Sequence, residues 1–140
     1  MAFLSSLDIS ASALTAQRMR MDVISENIAN ADTTRTANGE PYRRRVSVLT
    51  EQPLTFSSVL RKATGGGVEV SQIVEDMSDF SYVYDPDHPD ADDNGYVAKP
   101  NVDTTEEIID MMSATRSYEA NVTALNATKS IAMKALEIGR

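Results

Sequence analysis

One stretch has residue types and spacing that could do chemistry: Asp90-Ala91-Asp92-Asp93-Asn94-Gly95. It matches the opening of a calcium loop, D-x-D-x-N-G, where alternating carboxylates surround a hard cation and the sixth-position glycine permits a sharp turn. The twelfth position of such a loop carries a bidentate Glu, and here it is Asn101. Pro86 and Pro89 also keep a helix from leading into the loop. Specific calcium binding is therefore not expected, and an acidic secreted calcium-binding module stands as the alternative reading. His88, the single histidine, lies between Asp87 and Pro89. Triad chemistry needs a nucleophile and an orienting group that nothing in the chain indicates, so His88 reads as a turn residue. Gly65-Gly66-Gly67 lacks the Lys-Ser/Thr pair and following helix of a phosphate loop. Cysteine is absent, which removes disulfides, thiolate metal ligands and thiol nucleophiles. The chain reads as a non-enzyme without cofactor, metal or small-molecule substrate.

Charge points the same way. The net charge is −8, and nine acids with no Lys or Arg fall between positions 63 and 98. Such an acidic middle repels phosphate and excludes nucleic acid as a partner. The Arg43-Arg44-Arg45 triplet is the sharpest basic cluster; it reads as a charged strand edge or as a mate for a neighbour's acidic loop. There is no run of eighteen apolar residues to span a membrane. The first residues lack the basic region and compact apolar stretch of a cleaved secretory signal.

The elements that must position these residues are unequal. At the N-terminus, Leu7, Leu14, Met21 and Ile28 repeat every seven residues, with a second, Ala-rich face at Ala13, Ala16 and Val23. At the C-terminus, Ile108, Met111, Thr115, Tyr118, Val122, Leu125, Lys129, Ala132 and Leu136 alternate three- and four-residue steps. Spacing of this kind keeps one seam of a helix against a partner helix. Ser5 and Asp8 predict a helix start near Ser5, and the helix should stop near Ala31. Asp103 followed by Glu106 and Glu107 predicts the start of the last helix, and Gly139 its stop. Between them, Val46-Ser47-Val48-Leu49, the alternating segment 68–74 and Phe80-Ser81-Tyr82-Val83-Tyr84 read as strands, 56–63 as a short helix or turn, and 85–101 as an acidic, proline-rich loop. The expected fold is mostly α, with a small β-rich insertion and long N- and C-terminal helices packed as a coiled-coil-like pair. The expected units are 1–35, an N-terminal axial helix; 36–102, the insertion; and 103–140, a C-terminal axial helix joined to the first. Apolar stripes on more than one face of each helix predict burial in an assembly, with the helices ordering only as neighbours cover them.

The segment 11–33 strongly resembles the N-terminal signature of the bacterial flagellar rod and hook proteins. Its core is Asn27, then Ile28-Ala29-Asn30, then Thr33. Many members continue with Gly-Tyr; this chain instead runs Thr34-Arg35-Thr36 and Gly39-Glu40-Pro41-Tyr42-Arg43-Arg44, as proximal-rod members do. Tyr84-Asp85-Pro86-Asp87-His88-Pro89-Asp90, Gly95-Tyr96-Val97 and Pro100-Asn101-Val102-Asp103 share that likeness, and the segment 111–121 resembles the family's C-terminal signature. The resemblance implies a structural subunit of the proximal rod of the flagellar basal body, crossing the periplasm and transmitting torque. It implies export through the flagellar type III apparatus without a cleaved signal. Its partners would be other rod proteins and further copies of itself, with an adaptor at the inner-membrane ring or export gate as a further candidate. The expected assembly interface is Leu7, Leu14, Met21, Ile28, Asn27 and Asn30 on the first helix, and Tyr118, Asn121, Val122, Leu125, Ala132 and Leu136 on the last. The three asparagines interrupt apolar faces, where a buried polar group fixes register; their side chains should bond between helices or to loop backbone.

Overall fold

A computed structural model describes residues 2–53 and 66–138. Two long helices, α1 (Ala2–Ala29) and α2 (Thr104–Ile138), flank four short strands. The helices run antiparallel, since Asn27 meets Glu107, Arg20 meets Asp110 and Met21 meets Thr115. This is the expected architecture, a helix pair with a small antiparallel β insertion. The segment 56–63 and the helix stop at Gly139 lie outside the described residues.

The caps explain where the helices begin and end. Asp103 Oδ1 accepts from the N–H groups of Thr105 (2.7 Å) and Glu106 (3.4 Å), which leaves α2 starting at the expected place. α1 already runs from Ala2, so Ser5 lies inside the helix rather than at its cap. Its other end closes at Ala29, two residues early, because the Asn30 amide takes over the last turn. Asn30 Nδ2 donates to the Glu26 carbonyl at 2.9 Å, and the Asn30 carbonyl accepts from Thr33 N at 3.0 Å.

Strand β1 (Arg45–Glu51) pairs antiparallel with β2 (Val68–Glu75), from Arg45 opposite Glu75 to Glu51 opposite Val68, with a bulge between Val48 and Leu49. This hairpin lies along α1 and is tied at both ends. Asn27 holds Arg45, and Ser12 Oγ accepts from Val68 N at 3.1 Å. The two anchor points are about 22 Å apart along a helix and about 20 Å apart along a strand, so the lengths match. Gly67 sits where a Cβ would collide with Ser12 Oγ, which is why the close approach uses glycine.

Strands β3 (Ser81–Tyr84) and β4 (Tyr96–Lys99) form a second antiparallel pair. β4 corrects the expectation of a continuous loop over 85–101. Gly95 adopts φ +80°, a turn conformation open to glycine, and reverses the chain so that Tyr96-Val97-Ala98-Lys99 pairs back on β3. Asp92 Oδ1 clamps this turn by accepting from Asn94 N (2.9 Å) and Tyr96 N (2.8 Å). The second hairpin is held to the segment after α1 by Lys99–Asp32 (3.4 Å), Arg35–Asp90 (2.8 Å) and Thr34 Oγ1 donating to Asp90 Oδ2 (2.9 Å).

Candidate assembly surface and the polar centre that orients it

The buried apolar side chains among the described residues are Ala16, Val23, Ile24, Tyr42, Val97, Pro100 and Ala114. Two polar groups are buried as deeply, Asn27 at 1% exposure and Glu107 at 0%. Asn27 uses its entire capacity of two donors and two acceptor lone pairs. Nδ2 donates to the Arg45 carbonyl (2.8 Å) and to Glu107 Oε2 (3.0 Å). Oδ1 accepts from Arg45 N (2.9 Å) and from the Tyr42 hydroxyl (3.0 Å). One side chain thus joins α1, α2, the approach to β1 and β1 itself.

Glu107 is the only acid with no exposed surface among the described residues. Its other oxygen accepts from Arg44 Nε at 2.6 Å. A buried carboxylate persists only when paired and hydrogen-bonded, and both oxygens here have a partner. Arg44 fans out further, to Asp76 at 3.7 Å and Asp110 at 3.6 Å, while Arg20 reaches Asp110 at 3.4 Å. Burial opposes the Arg44 charge, but the hydrogen bond and charge of Glu107, with Asp76 and Asp110, outweigh it and hold its pKa above the ordinary arginine value. Burial first, then the charge of Glu26, lifts the Tyr42 hydroxyl above the ordinary tyrosine value, with Arg45 opposing. The Ser78 N–H, donating to Asp76 Oδ1 at 3.0 Å, chiefly lowers the Asp76 pKa. Asn101 completes the frame: its Oδ1 accepts from Arg44 N (2.8 Å), and its Nδ2 donates to the Asp76 carbonyl (2.9 Å) and Ser78 Oγ (2.8 Å).

The basic triplet is therefore engaged inside the chain rather than held out for a neighbour. Arg44 serves Glu107, Arg45 pairs with Glu26 at 2.8 Å, and Arg43 lies over the Phe80 ring at 4.2 Å. The calcium-like sequence is also occupied by its own chain. Asp90 is paired to Arg35 and Thr34, and Asp92 clamps the turn. His88 Nδ1 accepts from Asp90 N at 3.1 Å, a turn contact as its setting suggested.

The expected interface residues fall into three groups. Leu7, Leu14, Met21 and Ile28 on α1, and Tyr118, Val122, Leu125 and Ala132 on α2, are half-buried. Leu136 is exposed. Of the asparagines, Asn27 bonds between helices and to β1 backbone as expected. Asn30 closes its own helix end and accepts from Thr33 Oγ1, and Asn121 donates to the Ser117 carbonyl of α2 at 2.8 Å. Those two therefore do not bridge the helices.

The α2 seam is broader than its expected line. Met111, Tyr118, Leu125 and Ala132 lie on it; on one side Glu107, Ala114, Asn121 and Thr128 are buried or half-buried, and on the expected side Val122 is half-buried and Thr115 reaches Met21 of α1. Glu107 and Ala114 are fully buried, whereas Ile108, Thr115 and Lys129 are exposed. Glu107 meets Asn27 of α1, while Asn121 and Thr128 bond to carbonyls of their own helix. Glu107, Arg44, Tyr42 and Asn101 were missed as site residues. The available signal was the four-three spacing that places Glu107 one turn before Met111 on an otherwise inward line.

Comparison with known proteins falls on these same helices. Residues 7–35 match the family described as Flagella basal body rod protein, and residues 93–138 match that described as Flagellar basal body rod FlgEFG protein C-terminal. The flagellar basal-body rod protein FlgC of Bacillus subtilis (strain 168) is 59% identical, with 96% of this chain and 97% of that protein covered. FlgC of Borreliella burgdorferi is 43% identical, with 99% and 98% covered. FlgC of Salmonella typhimurium (strain LT2) is 42% identical over the full length of both. With a rod-protein match on each helix and relatives aligned end to end, the chain belongs to the flagellar basal-body rod protein FlgC family.

Proposed function

We propose that the chain is a structural subunit of the proximal rod of the bacterial flagellar basal body, assembling through its terminal helices into an axial tube that transmits torque. The observation that carries this reading is the apolar surface left outside the fold. Met19 on α1 and Ile108, Ile109, Met112, Ile131, Met133 and Leu136 on α2 are all exposed. Helix faces of this kind mark interaction surfaces. The half-buried residues Leu7, Leu14, Met21, Ile28, Tyr118, Val122, Leu125 and Ala132 complete the proposed interface, with Leu136 at its open end. Partners are other rod proteins and further copies of this chain, with an adaptor at the inner-membrane ring or export gate. The rod location also implies export through the flagellar apparatus without a cleaved signal.

The test is genetic and structural together. Deleting the chain should remove the rod from isolated basal bodies and abolish swimming, and restoring it should return both. Replacing Leu14 or Leu125 by Asp buries an unpaired charge at a cost of several kcal/mol in each subunit, and should also abolish assembly. Normal rods in the deletion strain would overturn the reading.

A further inference from the structure

We propose that the outer face of the β3–β4 hairpin receives the C-terminal half of α2 from a second copy of this chain, joining subunits head to tail. This rests on the reading of the chain as an axial subunit and names a contact that reading leaves open.

The register sorts the hairpin into two faces. Val83 lies opposite Val97, and Val97 is fully buried. The other face carries Tyr84 opposite Tyr96, and Tyr82 opposite Ala98. Tyr82 is 66% exposed and Tyr84 64%, and the Tyr84 and Tyr96 rings meet edge to face with centroids 5.3 Å apart. Asp85, Asp87 and Asp93, in the connection from β3 to β4, are all exposed. An aromatic face next to an acidic turn suits a partner that is apolar and basic together, because Lys and Arg stack on tyrosine and pair with acids.

α2 presents such a surface. Arg116, Ala120, Ala127, Ile131 and Lys134 share one stripe by helical spacing, turned away from α1, and all are exposed. With Thr123 they bring basic ends and a small apolar middle, without a carboxylate. The alanines leave room for tyrosine rings to approach the helix closely.

These patches cannot meet within one chain. Among the described residues, β3 and β4 pack against neither helix. β4 ends at Lys99 just before α2 begins at Thr104, and Ile131 lies about 40 Å further along the helix. Complementary patches at opposite ends of an elongated subunit make a heterologous contact, which propagates rather than closing on itself.

The chain has no cysteine, so introduced cysteines report alone. Tyr84→Cys and Ile131→Cys are expressed together in cells lacking the unaltered copy, and basal bodies are isolated and oxidised. A product of twice the subunit mass is expected only when both variants are present, and a chain carrying both substitutions should give a ladder. Arg116→Glu with Lys134→Glu should reduce the cross-link at least tenfold, and adding Asp85→Lys with Asp87→Lys should restore it. If Tyr84→Cys blocks assembly, Asp87→Cys takes its place. Intact rods and swimming cells without a cross-link would overturn this contact and leave the rod reading standing. A cross-link of Ile131→Cys to a different protein, with none to a second copy, would overturn the choice of partner. A chain missing from basal bodies altogether would overturn the rod reading itself, and this inference with it.

Discussion

Asn27 shows how one amide can set the geometry of a whole subunit. Its four hydrogen bonds engage the backbone of Arg45, the Tyr42 hydroxyl and the Glu107 carboxylate. Asn27→Ala leaves several of these groups buried without a partner, each costing about 1–3 kcal/mol. We expect a loss of about 3 kcal/mol or more in urea unfolding of the purified chain. Asn27→Asp removes both donors and places a second carboxylate beside Glu107, so its penalty at pH 7 should exceed that of Asn27→Ala. An unchanged urea midpoint in both variants would contradict the network. The titrating groups add a pH window. The lowered Asp76 pKa means that its stabilising contribution is present above about pH 4 and is lost as pH falls through the folded value. The raised Tyr42 pKa means that its contribution is present below about pH 10 and is lost as pH rises through the folded value. Tyrosinate absorbance should show a component that rises above the ordinary tyrosine range, and Tyr42→Phe should remove it.

At the level of elements, what the sequence made legible was whatever depends on local rules. The Asp103 cap, the alternating strand at 68–74 and the two terminal helices follow from capping and periodicity. What escaped depends on partners far along the chain. β4 is four residues long and needs β3 to pair with and Gly95 to turn, so its own composition says little. The inward side of α2 that carries Glu107 escaped because Glu107 and Asn121 look solvent-facing by type. Only the distant Arg44 and Asn27 make the burial of Glu107 possible. The join between α1 and the first hairpin gives a sharper test. Ser12→Ala removes the acceptor for Val68 N and should cost about 1 kcal/mol. Gly67→Ala introduces a collision with Ser12 itself and should cost more, read as a lower urea midpoint and faster amide exchange in 66–75. Equal stability of Gly67→Ala and the parent would show that the hairpin does not press on α1.

The molecule as a whole has little apolar interior. Only a few apolar side chains are buried among the described residues, and in α2 every position from Met133 to Glu137 is exposed. Most helical stability comes from packing rather than from intrinsic propensity. Order in the isolated subunit should therefore be graded along the helices. Hydrogen exchange on the dilute monomer should show strongest protection at 20–30 and 105–115, around the polar centre, and weakest at 126–138. In isolated rods the weak segment should become protected. Uniform protection of both helices in the monomer would show that the subunit folds without its neighbours, and uniform exchange would show that the polar centre does not persist alone.

The pairing of Asn27 with Arg45 has a consequence for solubility. A side-chain amide that both donates to and accepts from one strand residue imitates the peptide group of a further strand. The Arg44 carbonyl accepts from Asp76 on the β2 side, while the N–H and carbonyl of Arg45 bond to Asn27 instead. The amide thus blocks the first rung of an open sheet edge, the kind of surface that templates intermolecular β-pairing. In the single chain this one rung is closed by its own helix. Removing the amide while the helix still forms would do more than loosen the fold: it would offer β1 as a seed for fibrils.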